Sequence, residues 1–478
     1  MKRYTCSVLI LLVTVISACD SKPAHENRIE AIEAAISPLL VVRGEAVPAV
    51  SLEDRMKQLN VPAVSIAVIR DGEVEWAKAY GLADKEDGVP ATTDTLFQAA
   101  SLSKPIAALA ALKLVEDGHL YLDRDVNDSL TSWKIPENEF TANQKVTLRG
   151  LLNHSSGTTV GGFPGYTTDT TVPATVEVLE GGGNTEAVRV GKEPGESWGY
   201  SGGGYTVMQL LMSDVSGQPF PGLMRSIVLE PLDMKNSTYE QPLPEEWHAR
   251  AASGYDGKGN KIVGRWHVYP EMAAAGLWTT PTDIARYIVE VQRAYADTGR
   301  VLSGDSARMM LKAGMQSHGL GPIIEDDGER FGHGGSNAGF RTIFTAFVEQ
   351  GAGAIVMTNS DSGGHLAQEL MLTIAREYGW PGIKPREKTT ITLSEAAYKR
   401  FVGLYQIQEH QVPMEITYEG GRLFTRIADG ETRELLPEAE HVFFTRDGML
   451  VEFVSDDDII TGLVIGRGFA RADKVDAQ

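Results

Sequence analysis

The sequence predicts an α+β protein: an antiparallel sheet fed by strands near both ends of a long first domain, helices between them, and a small antiparallel β domain behind. Three observations carry this. VPAVSIAVIRDGEVEWAKAYGLAD, residues 61–84, gives two β-rich runs around Asp71-Gly72, a hairpin signature. RFGHGGSNAGFRTIFTAFVEQGAGAIVMTNSDS, residues 330–362, reads as two further strands joined at Gln350-Gly351. Between them, roughly Asp123 to Thr280, helical patterns alternate with Gly- and Pro-rich loops. Strands that flank a helical middle describe an α+β sandwich.

The elements follow in order. Lys2 and Arg3 precede an apolar run from Cys6 to Ile16, too short to span a bilayer and built like a secretory leader. It ends in Ile16-Ser17-Ala18-Cys19, which resembles a bacterial lipobox. Residues 1–18 are therefore expected to be a lipoprotein signal peptide, with Cys19 lipidated as the mature N-terminus. Asp20 resembles the residue that retains enteric lipoproteins in the inner membrane, so the expected place is the periplasmic side of that membrane. Cys6 and Cys19 are the only cysteines, and the exported part can form no internal disulfide. At 478 residues the chain is long enough to rely on its core instead. A net charge of −20 opposes binding to nucleic acid or to anionic lipid, so the membrane enters only through the anchor.

Residues 19–51 read as a tether with one short helix, Ile29, Ile32, Ile36, Leu39 and Leu40 recurring at helical spacing. Residues 52–382 form the first domain. WPGIKPREKTT, residues 380–390, breaks the pattern with Pro, Gly and charge, and supplies a linker at 383–390. Beyond it, residues 391–478 carry short β runs around Leu423, Leu435, Phe443, Val451 and Leu463, punctuated by Gly420-Gly421, Asp429-Gly430 and Asp447-Gly448. That predicts a small antiparallel barrel or half-barrel.

The chemistry begins at FQAASLSKPIAALAALKLVEDG, residues 97–118. Ser101 falls at a helix start, where an unsatisfied backbone N–H can receive an oxyanion. Lys104, one turn on and flanked by Leu102, Pro105, Ile106 and Ala107, shares its helix face. A serine attacks only when a neighbouring base takes its proton, and the lysine is placed to do so. Alone, the same pattern also describes a serine cap with a snorkelling lysine.

Two further elements follow: Tyr200-Ser201-Gly202 after a Pro-Gly turn and before a helix, and His333-Gly334-Gly335-Ser336, opening a strand followed by a turn. In this order and spacing, the three resemble the serine β-lactamase and penicillin-binding protein superfamily. The nearest branch is the class C β-lactamase-like one, which also holds esterases, D-aminopeptidases and DD-peptidases. LLNHSSGT at residues 151–158 and AAAGLWTTPTDIARY at residues 273–287 fit that branch as well. The resemblance spans residues 52–378 and implies a DD-peptidase-type fold for the first domain. It makes Ser101 the acylated nucleophile, Lys104 its base and Tyr200 the proton carrier to the leaving group. His333 stands where many relatives have lysine, and would support the tyrosine or a substrate carboxylate. Ser101 and Ser336 would give the oxyanion N–H groups, and Gly334 and Gly335 would leave room for a substrate backbone. The β domain resembles a lipocalin-like appendage of some relatives.

Two departures stand out. Gly202 replaces an asparagine common two residues after the tyrosine, and His-Gly-Gly replaces Lys-Thr-Gly; both lower the expectation of efficient penicillin hydrolysis. Competing readings are weaker. Ser197 and Ser201 each satisfy G-x-S-x-G, but a polar turn precedes them rather than the buried strand of a nucleophile elbow. Asp123, Asp125 and Asp128 have no closing glutamate for a calcium loop, and the histidines show no H-E-x-x-H spacing. His154 reads as a hydrogen-bonded core histidine. No metal or cofactor is implied, and the expected substrate is a small peptide, amide or ester.

Overall fold

The computed structural model describes residues 24–408, 411–466 and 468–475. The predicted signal peptide and Cys19 lie outside them. A seven-stranded antiparallel sheet runs in the order Val89–Pro90, Glu73–Asp84, Ala63–Arg70, Gly353–Thr358, Phe340–Phe347, Arg330–Asn337, Ile323–Glu325. The hairpin at Asp71-Gly72 forms, both residues at positive φ (54° and 74°), as a tight turn between strands requires. The stretch 330–362 holds three strands rather than two. The turn expected after His333-Gly334-Gly335-Ser336 falls at Ala338-Gly339 and leads into the extra strand, with Gly339 at φ 77°.

The sheet is buried on both faces, which is why its central strand reads as an unbroken apolar run. In Ala63–Arg70 the side chains alternate: Ala63, Ala67 and Ile69 enter one core, Val64, Ile66 and Val68 the other. On the first face packs helix Pro281–Tyr295, and helices Ser103–Glu116 and Gly202–Ser216 share its core; the second core is shared with Leu52–Gln58 and Gly363–Tyr378. Ser103–Glu116 is buried almost all round, as an alanine- and leucine-rich helix without a polar face must be. Pro105 is tolerated in its first turn, and Gly118 at φ 77° stops it.

The expected C-terminal β domain is a closed barrel of eight antiparallel strands, from Gly403–Ile407 round to Ala470–Val475, first paired with last at Leu404 and Val475. Tyr405, Met414, Leu423, Phe443 and Phe453 fill it, so its interior is a packed core.

The described part of the segment expected to be a tether does more than connect. Its helix forms at Ala24–Ala34, and Ile32 and Ile36 are buried in the second core beside Leu370 and Ile374. Leu40–Val42 then pairs in parallel with Arg386–Lys388, inside the expected linker. Leu40 and Val42 also cluster with Leu436 and Phe444 of the barrel.

Candidate active site

Ser101 lies on the single turn Ala100–Leu102 that leads into helix Ser103–Glu116. The residue before it, Ala100, is fully buried at φ 51°, a left-handed conformation that costs a side-chain-bearing residue about 1 kcal/mol. Lys104 is 2 % exposed. Its Nζ donates to Ser101 Oγ at 3.1 Å and to the Ala274 carbonyl at 2.8 Å. The amine also sits 4.9 Å from the centre of the Tyr200 ring and 5.6 Å from that of Tyr205. A lysine held this way does not snorkel.

Tyr200 precedes helix Gly202–Ser216, whose cap is Ser201: the hydroxyl accepts from Gly204 N at 2.8 Å and donates to the Thr159 carbonyl at 2.9 Å. Ser201 is thereby committed to structure. A Cβ on Gly202 would stand 3.0 Å from the Phe163 ring and 3.2 Å from the Gly161 carbonyl, so phenylalanine occupies the side where relatives often carry an amide.

The third element is the strand Arg330–Asn337. Ile323–Glu325 covers its outer edge only as far as Gly332, leaving Gly334 and Ser336 exposed. His333 is buried, and its ring centre lies 6.4 Å from that of Tyr200. Nδ1 donates to the Gly334 carbonyl at 2.6 Å, which makes Nε2 an acceptor; it is buried and unpartnered. Burial first, and then the Lys104 charge, push His333 down to about 3, so the ring is neutral near pH 7.

The two glycines of this strand do different things. At Gly335 a Cβ would fall 2.3 Å from both the Ala99 carbonyl oxygen and Thr342 Oγ1, so its bareness lets the strand press against the nucleophile turn rather than making room for substrate. At Gly334 the nearest atom would be 3.9 Å away. Only that one leaves open space. Ser101, Lys104, Tyr200, His333, Gly334, Gly335 and Ser336 thus come together around one turn and one strand edge. Cys19 is not among the described residues. Of the acidic decoys, Asp123 pairs with Arg149, and Asp125 caps the turn Val126–Asp128.

Sequence reasoning missed the support beneath Lys104. Helix Met272–Ala275 provides the Ala274 carbonyl, and Asn337 ties it to the strand by donating to Ala275 O at 3.1 Å. Just before it, Glu271 is fully buried with neither carboxyl oxygen hydrogen-bonded; an acid inside the apolar run YPEMAAAGLW was the available clue. Burial pushes this carboxyl from 4.5 up to about 7. Between those values the unfolded chain gives up a proton that the native state keeps, so stability falls as pH rises through that window. Glu271→Gln should remove the loss: in urea unfolding it should gain about 3 kcal/mol on the parent between pH 4.5 and pH 8. An unchanged difference at the two pH values would mean the carboxyl is not held protonated.

The family model for Beta-lactamase matches residues 51–376. The chain belongs to this family, and so to the serine β-lactamase and penicillin-binding protein superfamily, a group of serine-hydrolase type. Penicillin-binding protein 4* of Bacillus subtilis is 24% identical over 437 residues, covering 84% of this chain and 92% of its own length. Esterase EstB of Burkholderia gladioli is 32% identical over 226 residues, 42% of this chain and 52% of the esterase. Among solved structures, the octameric penicillin-binding protein homologue from Pyrococcus abyssi matches with TM-score 0.60 and 24% identity, covering 88% of this chain and 98% of its own. The D-amino acid amidase from Ochrobactrum anthropi matches with TM-score 0.57 and 23% identity over 74% of this chain and 99% of its own. At such identities the two structures speak for the fold.

Proposed function

We propose that the protein is a serine hydrolase of the bacterial cell envelope, acting through an acyl-enzyme on an amide, peptide or ester, with D-amino-acid peptides as its leading substrate class. The observation that carries this is the hydrogen bond from Lys104 Nζ to Ser101 Oγ, with the amine pinned by the Ala274 carbonyl. Ser101 Oγ attacks the substrate carbonyl as its proton passes to Lys104. The backbone N–H groups of Ser101 and Ser336 hold the oxyanion. When the C–N or C–O bond breaks, Tyr200 passes a proton to the leaving group, and His333 Nε2 supports the tyrosine as acceptor. Water then releases the acid by the reverse path and restores Ser101.

The amidase and penicillin-binding neighbours support the D-amino-acid reading, and the esterase supports a carboxylesterase as alternative. Phe163 against Gly202, together with histidine in the third motif, weighs against efficient β-lactamase activity. A catalytically silent penicillin-binding lipoprotein is the contrasting reading. A panel of D-aminoacyl amides, chromogenic esters and a chromogenic cephalosporin separates these. Turnover of the amides, lost in Ser101→Ala, is expected; stoichiometric penicillin binding without turnover of any substrate would favour the silent binder.

The lipid anchor at Cys19 is part of the proposal, motivated by the lipobox. In cells fed a labelled fatty acid, Cys19→Ser should lose the label; a variant that keeps it would refute the anchor.

A further inference from the structure

We infer that His154 is the positioning residue for Tyr200, holding the tyrosine from both sides. His154 lies in the LLNHSSG stretch, is 1 % exposed, and adopts φ 63°, a conformation unfavourable for histidine unless its surroundings impose it. Its carbonyl accepts from the N–H of Gly199 at 2.8 Å. Its ring Nδ1 accepts from the N–H of Ser201 at 3.1 Å. The residue between those two N–H groups is Tyr200, and the imidazole lies against its ring, centres 4.3 Å apart and planes at 33°. One side chain and its own backbone therefore fix the residue before the tyrosine, the residue after it, and the face of its ring.

The chemistry of the ring follows from this grip. Nδ1 accepts a hydrogen bond, so the proton sits on Nε2, which is buried and unpartnered. A doubly protonated ring would lose the bond to Ser201, because Nδ1 would then be a donor facing a donor. The neutral tautomer protonated on Nε2 is therefore the form that holds the loop.

This inference rests on the reading of Tyr200 as carrier of the leaving-group proton, and its test separates the two. A p-nitrophenyl ester departs as a stable anion and needs little proton delivery; an anilide or amide needs it fully. In the full-length protein, Tyr200→Phe should slow the amide far more than the activated ester. His154→Ala should show the same selective loss, in kcat rather than KM, of about tenfold to a hundredfold on the amide, the scale of a misplaced catalytic group. The double variant should be no worse than Tyr200→Phe alone. His154→Asn should recover most of the activity, because its Oδ1 can accept from Ser201 and asparagine tolerates positive φ. If Tyr200→Phe slows both substrates equally, the role given to the tyrosine fails. If Tyr200→Phe discriminates but folded His154→Ala slows both equally, or its effect adds to that of Tyr200→Phe, the positioning role fails. An asparagine variant that folds and is as impaired as the alanine would overturn it as well.

Discussion

Lys104→Ala is expected to fold and to turn over substrate about 10²–10⁴-fold more slowly, the usual effect of losing a positioned proton-transfer group. Alanine suits the helix interior, so backbone propensity does not oppose the change. What disappears is the donor that joins Ser101 Oγ to the Ala274 carbonyl, and with it the route for the serine's proton. Because the lysine stem is buried, alanine also leaves a cavity, and Lys104→Met keeps that volume while deleting the amine. The two variants should be equally slow, although methionine should melt nearer the parent temperature. A fluorophosphonate should label Ser101 in the parent and react sluggishly in both variants. Undiminished turnover in the methionine variant would reduce Lys104 to packing.

Gly335→Ala should damage both stability and acylation. The added methyl would arrive 2.3 Å from the Ala99 carbonyl and 2.3 Å from Thr342 Oγ1, which already donate and accept between themselves at 3.0 Å. Neither is the free end of a long side chain, so the strand or the turn must move. Overpacking of this kind costs about 1–3 kcal/mol. Displacing the strand that carries Ser336 from the turn that carries Ser101 should also cut acylation by more than about a hundredfold. Gly334→Ala is the control. With nothing nearer than 3.9 Å it should melt like the parent, and any loss should appear in KM, because its methyl enters the open edge. Normal acylation by Gly335→Ala would show that this contact does not set the site.

The parts read correctly from the sequence are those governed by neighbours along the chain. Asp71-Gly72 announced its hairpin because the turn chemistry is local, and Ser101 and Lys104 announced their shared helix face through spacing alone. Short β runs separated by Gly-Gly and Asp-Gly turns announced an antiparallel barrel or half-barrel, and the pairing of first strand with last closes it. The turn after His333-Gly334-Gly335-Ser336 was legible, but the reversal at Ala338-Gly339 into a third strand was not, because nothing in that polar, glycine-rich run says which strand it pairs with. The stripe Ile29, Ile32, Ile36, Leu39 and Leu40 predicted a helix that forms only as far as Ala34, because Leu40–Val42 pairs as a strand instead, and it said nothing of where the apolar side goes, since Leu370 and Ile374 lie far along the chain. The same limit hid the work of His154 and the Ala274 carbonyl. Both act through contacts that exist only after folding, the bond from Ser201 to His154 bridging 47 residues and that from Lys104 to Ala274 bridging 170.

Under the proposed anchor at Cys19, the packed N-terminal segment would set how far the protein can range from the bilayer. From Cys19 to the start of helix Ala24–Ala34 there are five residue steps, about 17 Å when fully extended. Slack further along is locked away: Ile32 and Ile36 are sunk beneath the sheet, and Leu40–Val42 is zipped to Arg386–Lys388. With a lipid on Cys19, the body would ride close to the bilayer, its leash too short for the molecule to swing out or sweep a wide radius. Substrates would have to come to the membrane surface, and catalysis would be confined to a layer little thicker than the protein itself.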